Sequence, residues 1–220
     1  MLDTPGYPDF EGEVRQSIRV ADAALIVVDG KAGIEVGTEL AWNMADEQGI
    51  PKSFFINRFD DPEARFYKVF EALRERFGVA ICPVQIPMID ADKVTGFLDL
   101  LDFESYIFDS ATGDYVSLPI PEQFMDIAEK YRNMLYESIA QTDDALMEQF
   151  FAGEPISRED SVLAIHNGII SGEIVPVFCG AAIKNWGIKT LLDTIAHSFP
   201  RPTARGSEKS VNGDDIPIEV

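Results

Sequence analysis

The sequence predicts an α/β fold: a mostly parallel sheet flanked by helices, interrupted by an inserted α+β lobe. Three observations carry this reading. Residues 23–28, 53–56 and 175–179 form short, nearly unbroken apolar runs, the habit of strands buried on both faces of a parallel sheet. Amphipathic stretches separate them, as crossovers between parallel strands require. About a hundred residues of different texture lie between the second run and the third.

Taken in order, Phe10, Val14, Ile18 and Ala21 make one helical stripe, and Leu40, Ala41, Met44 and Ala45 make another. Asp61-Pro62-Glu63 reads as a helix start ahead of Phe66, Val69, Phe70 and Leu73. Residues 80–86 read as one strand, and 97–108 as sheet with a turn at 109–114. Pro121 opens a helix carrying Phe124, Ile127, Ala128 and Tyr131, with shorter helices near 146–151 and 162–169. Ile188, Leu191, Leu192 and Ile195 line a last helix, stopped by Pro200 and Pro202. The expected organisation is a divided domain, residues 1–78 and 174–202, around an insert at 79–173. Residues 203–215 read as a linker, and 216–220 as the start of a following domain's strand.

Composition narrows the function. The 220 residues are 46% apolar with a mean hydropathy of −0.02, which fits a globular chain with no membrane span. Eighteen basic against 38 acidic side chains give a net charge of −20, with no basic cluster, so direct DNA binding is not expected. Cys82 and Cys179 sit in apolar runs without disulfide or zinc spacing, and the first residues lack a signal-peptide pattern; the expected compartment is the cytoplasm.

Each strand ends in residues that can form a tight loop, where ligands gather in open α/β sheets. Asp3-Thr4-Pro5-Gly6 opens the chain. An aspartate here can hold Mg²⁺ through water and the glycine can admit a terminal phosphate, although an ordinary Pro-Gly turn accounts for the tetrapeptide alone. Asn57-Arg58-Phe59-Asp60 follows the second run. A carboxylate there can accept hydrogen bonds from guanine's exocyclic amine and ring N–H, the asparagine can tie loops together, and the arginine can lie along a base. Gly180-Ala181-Ala182-Ile183-Lys184 follows the third run, and its small residues permit a backbone N–H to approach a base carbonyl. Each motif alone is also a plain loop; their joint order and placement are what carry weight.

The segment from Leu2 to Phe10, Leu-Asp-Thr-Pro-Gly-Tyr-Pro-Asp-Phe, with Glu13-Val14, resembles the switch II signature of elongation factor G. Further similarity runs through Ser17-Ile18-Arg19-Val20-Ala21-Asp22, Asp29-Gly30 with Gly33, Gln85-Ile86-Pro87, Pro119-Ile120-Pro121 and residues 179–185. The resemblance implies a partial P-loop GTPase-type G domain, with the insert in the place of that family's G′ subdomain. It implies GTP or GDP with Mg²⁺ as ligands, Asp3 near the metal through water, Gly6 near the γ-phosphate, and Asn57, Arg58, Asp60, Ala181, Ala182 and Ile183 around the base. Its implied partner is the ribosome, with stalk-protein contact through the insert.

Three positions depart from the family pattern. Tyr7 stands where the water-orienting histidine is usual, Arg58 replaces a lysine, and Ala181 replaces a serine. No Gly-x-x-x-x-Gly-Lys-Ser/Thr loop occurs in these residues, so the chain alone is not expected to grip GTP, and the strand at 24–28 is expected to expose an apolar edge and promote self-association. The competing reading is a non-catalytic ribosome-docking module. A carboxylate-based hydrolase centred on Asp29 is disfavoured by Val27, which occupies the companion aspartate's position, and His166 and His197 have no partner motif.

Overall fold

The computed structural model describes residues 1–91, 93–108, 114–201, 207–209 and 215–217, without the side chains of Pro8 and of the last two segments. Its central sheet is four-stranded and parallel. β1 (Ala24–Asp29) is the edge strand, followed in space by β2 (Lys52–Asn57), the strand at Val175–Cys179, and β3 (Ile81–Pro83). Helices α1 (Glu11–Val20), α2 (Val36–Gln48) and α3 (Phe66–Phe77) occupy the intervals, as the apolar stripes predict. A second, antiparallel sheet follows: β4 (Gln85–Asp90), β5 (Lys93–Asp99), β6 (Glu104–Phe108) and β7 (Tyr115–Leu118). Helices α4 (Met125–Ala140), α5 (Asp144–Ala152) and α6 (Arg158–Ser171) lead back to β8 (Val175–Cys179), and α7 (Ile188–Ser198) completes the parallel unit.

β2 and β8 are buried almost throughout, as unbroken apolar runs predict. β1 is not: Val27 is 57% exposed, and among the described residues β1 pairs with β2 alone. The apolar run at 80–86 is two strands rather than one. Ile81–Pro83 pairs parallel with β8, and after Val84 the chain turns into the antiparallel sheet, so the parallel sheet claims residues expected to belong to the insert. Helix α3 starts at Phe66, later than the Asp-Pro-Glu signal implies, because the Asp61 carboxylate accepts the Glu63 N–H in a local turn and Arg65 N–H goes to the Gly30 carbonyl. β9 (Ser207–Lys209), inside the expected linker, pairs antiparallel with β10 (Asp215–Pro217), which overlaps the expected start of a following strand; most of the expected turn at 109–114 and the rest of the tail lie outside the described residues.

One apolar cluster runs through both sheets. Phe66, Phe70 and Leu73 of α3 are fully buried, and Phe70 meets Tyr131 of α4 edge-on at 5.7 Å. Tyr67 donates its hydroxyl to the Pro87 carbonyl at 3.1 Å, tying α3 to β4. His166 Nδ1 lies 3.0 Å from the Ser198 carbonyl and His197 Nδ1 is 2.6 Å from that of Asp193, so both histidines contact helical carbonyls. Both thiols are buried; burial pushes Cys82 up to about 12 and Cys179 well above its ordinary value, which keeps them protonated and unreactive.

Asp99 is the buried carboxylate of the antiparallel sheet. It accepts N–H bonds from Leu101 and Asp102, each at 2.9 Å, and the Tyr106 hydroxyl lies 3.4 Å away. Burial outweighs these partners and raises its carboxyl to about 6, from an ordinary 3.8. Folding therefore favours the protonated form. The stabilisation from this group is complete below 3.8 and lost as pH rises through about 6. Asp99→Asn keeps an oxygen for both amides and carries no charge. Urea titrations should show the wild-type midpoint falling more steeply than the variant's between about pH 4 and about pH 7; parallel slopes would contradict this.

Candidate functional site

The parallel register brings the loops together. Asp29 pairs with Asn57 across β1 and β2, and Ile56 pairs with Cys179 across β2 and β8, so three strands end side by side on one edge. Asn57 stitches the loops that follow. Its Oδ1 accepts the N–H of Arg58 at 2.8 Å and the N–H of Ala182 at 3.0 Å, reaching 125 residues along the chain. Phe59, itself buried, donates its N–H to the Gly180 carbonyl at 3.1 Å. The backbones approach so closely that a Cβ on Gly180 would sit 2.1 Å from the Trp186 carbonyl oxygen, a contact only glycine avoids.

Six of the predicted residues meet here: Asn57, Arg58, Asp60, Ala181, Ala182 and Ile183. Asp60 is exposed beside the stitched loops, where an incoming donor can reach it. Ala181 is buried, whereas Ala182 and Ile183 form an exposed tip, Ile183 at 82%. The Ala182 N–H is occupied by Asn57, so an amide offered to a base carbonyl must be shared with that bond or come from Ile183. Arg58 adopts a left-handed backbone with φ of 71° and sends its guanidinium to Asp29 Oδ2 at 2.7 Å.

Asp29, weighed from sequence as a strand end and as a disfavoured nucleophile, is instead held in the site by its loop contacts. Its Oδ1 accepts the N–H groups of Lys31 and Ala32, and its Oδ2 holds Arg58. Burial raises its carboxyl, but those amides and the guanidinium outweigh burial and leave it lowered. The Arg58 guanidinium is raised in turn, first by its hydrogen bond to Asp29. A carboxylate so engaged is a loop clamp and a poor nucleophile, in line with rejecting the hydrolase reading. The sequence signal was available in its register: Asp29 ends β1 as Asn57 ends β2.

Asp3, Gly6 and Tyr7 lie elsewhere. They line a groove of about 650 Å³ together with Leu25 and Val27 of β1 and residues of α1 and α2, and none of the six base-side residues lines it. Tyr7 is 76% exposed. The hydrogen bonds from Ala24 N–H to Pro51 O and from Gly30 N–H to Asn57 O show that even-numbered residues of β1 bond to β2. Successive residues of a strand direct their backbone groups to opposite sides, so those of Leu25 and Val27 face the groove. Helix α1 buries no residue; its Val14 and Ile18 line the far wall.

Asn57→Ala removes the shared acceptor and should cost about 1–2 kcal/mol of stability. Amide exchange at Ala182 should accelerate while the interior of β2 keeps its protection. An unchanged Ala182 rate would show that the stitch does not hold the loop.

Residues 1–201 match the family of the elongation factor Tu GTP binding domain. All 220 residues align with elongation factor G of Ureaplasma parvum serovar 3 at 37% identity and of Ureaplasma urealyticum serovar 10 at 37%, and with that of Mycoplasma genitalium at 36%. The chain spans 32% of the length of each of these relatives. A crystal structure of a Thermus thermophilus protein superposes with a TM-score of 0.85 at 32% identity, covering 93% of this chain and 30% of that one. Among the described residues no helix is long and apolar enough to cross a membrane. The chain therefore belongs to the elongation factor Tu GTP binding domain family and is similar to elongation factor G along its whole length.

Proposed function

We propose that this domain reads the guanine base of GTP or GDP through Asp60, Asn57 and the 181–183 loop, as part of a GTP-hydrolysing protein that couples hydrolysis on the ribosome to elongation. The observation that carries the base-reading role is the Asn57 stitch, which holds the Asp60 loop and the Ala182 loop at one edge with Asp60 left open to donors. A carboxylate there accepts from guanine N1–H and the 2-amino group, a pattern that adenine lacks. Arg58 flanks the base by its aliphatic stem while its head stays on Asp29.

The residues fit a bound nucleotide at its base end and only in part at its phosphate end. Asp3 would help hold Mg²⁺ through water and Gly6 would admit the terminal phosphate, but among the described residues no group of three His, Cys, Asp or Glu side chains could hold a metal. The other ligands would be water and phosphate oxygens, joined by any donors from a segment packed alongside. The groove beside β1 suits one parallel strand, which would carry such donors and pair with the backbone of Leu25 and Val27. Tyr7 would then meet the attacking water through a phenol in place of an imidazole.

The docking-module reading draws support from the same groove, because the Asp3–Tyr7 segment lines it and none of the base-side residues does. In that reading the antiparallel sheet and α4–α6 form the lobe that meets the ribosomal stalk. Supplying an upstream phosphate-binding segment and measuring ribosome-stimulated phosphate release separates the two: stimulation supports the enzyme, whereas ribosome binding without release supports the docking module.

Two measurements test the parts. Asp60→Asn replaces an acceptor by a donor, so chemical-shift titration should show the preference moving from GDP to the xanthine analogue, which carries a carbonyl at position 2; retained guanine preference would exclude Asp60 as the reader. The uncovered edge should make the chain self-associate with concentration, and Val27→Lys should restore a monomer in sedimentation velocity. A wild-type chain that stays monomeric at high concentration would remove the edge from the account.

A further inference from the structure

The loop that presents Ala182 and Ile183 has little of its own to hold it. Its tip, residues 182–185, is exposed and wound into a single 3₁₀ turn, with Asn185 in the left-handed region at φ 57°. Its base is closed by one residue. Trp186 donates its N–H to the Ala181 carbonyl and accepts the Ala181 N–H, both at 3.1 Å. Directly beneath, Gly180 and Gly187 leave no room: a Cβ on Gly187 would lie 2.4 Å from the Cys179 carbonyl oxygen, as one on Gly180 would foul Trp186. The position of the Trp186 backbone is thus passed straight to the end of β8.

The Trp186 indole is fixed from the other sheet. It stacks on Phe108 of β6 with ring centres 6.4 Å apart and planes 24° apart. Phe108 is itself wedged edge-on against Phe97 of β5 at 5.2 Å and Tyr115 of β7 at 5.9 Å. A second contact runs beside it, with the Lys189 ammonium 5.2 Å from the centre of the Tyr115 ring at the start of α7. Among the described residues the indole Nε1–H is buried without a hydrogen-bond partner, and the ring's described contact with the other sheet is its stacked face.

Resting on the base-reading proposal above, we propose that Trp186 is a positioning residue for guanine recognition, clamping the 181–186 loop to the Phe108–Tyr115 edge of the antiparallel sheet so that this lobe sets how well the loop reads position 6 of the base. The lobe and the base-reading edge then share one mechanical element. A ligand that shifts β6 and β7 changes base recognition without touching the nucleotide.

The test uses the whole chain and begins without nucleotide. Trp186→Ala, and separately Phe108→Ala in the other sheet, should accelerate amide exchange at Ala181 and Trp186 or its replacement by roughly three- to tenfold, the worth of one aromatic pair. Exchange within β2 should not change. Trp186→Phe keeps an aromatic ring to stack on Phe108 and loses the indole N–H with part of its area, so it should restore most of the wild-type protection. With nucleotide, Trp186→Ala and Phe108→Ala should lose a similar factor in preference for GDP over 6-thio-GDP, which keeps N1–H and the 2-amino group and has a weaker acceptor at position 6, while preference for GDP over IDP, set at position 2 by Asp60, holds. Loop exchange indifferent to Phe108→Ala, or Trp186→Phe behaving as Trp186→Ala, would overturn the clamp. Loss of preference at positions 2 and 6 together would overturn its specificity for the loop. If no variant or wild-type chain binds GDP, the base-reading proposal fails and with it the recognition role of Trp186.

Discussion

A single side-chain oxygen, Asn57 Oδ1, joins the two loops on which the candidate site is built. By accepting from Arg58 and from Ala182 it converts adjacency of β2 and β8 into a fixed relation between their loops. The relation depends on the parallel sheet, because only parallel neighbours deliver their ends, and hence their loops, to the same edge. The Asp29 to Arg58 pair extends the same logic to β1, and the close approach at Gly180 locks the backbone beneath it. The Asp29 to Arg58 pair is partly solvent-exposed, and such a pair contributes little to stability; its effect is to fix where a guanidinium rests.

The outer side of β1 is defined by an open space. The strand β1 has one neighbour, its Leu25 and Val27 backbone groups face a groove, and α1 stands across that groove with no residue buried. An amphipathic helix that buries nothing and an apolar strand that stays half uncovered are two walls of one groove. Asp3, Gly6 and Tyr7 line it, and the loops after β2 and β8 do not. Nucleotide chemistry needs both sides, so the functional proposal turns on what enters the groove.

Much of this was legible in the residues because it rests on local pattern. The runs that became β2 and β8 were unalternated and proved buried on both faces, and the loop motifs after them lie where the fold brings strand ends together. What escaped was non-local. The run at 23–28 has the same texture as the others, yet Val27 is exposed, since periodicity records which residues are apolar and not which neighbour is present. The run at 80–86 carries no punctuation at Val84 to mark the passage from one sheet to another. Asp61 looked like a helix start because its carboxylate suits either a cap or a local turn, and the turn won. Asp29 and Trp186 join partners 29 and 78 residues away in sequence, a link that no local signal announces.

On the reading proposed above, base recognition is assembled in this chain independently of the phosphate side. Guanosine, which has no phosphates, isolates that claim. In a chemical-shift titration, guanosine should perturb residues 57–60 and 180–183 and leave 2–7 unmoved, while adenosine at equal concentration should perturb neither. Equal responses to both nucleosides, or guanosine shifts confined to the groove beside β1, would contradict it.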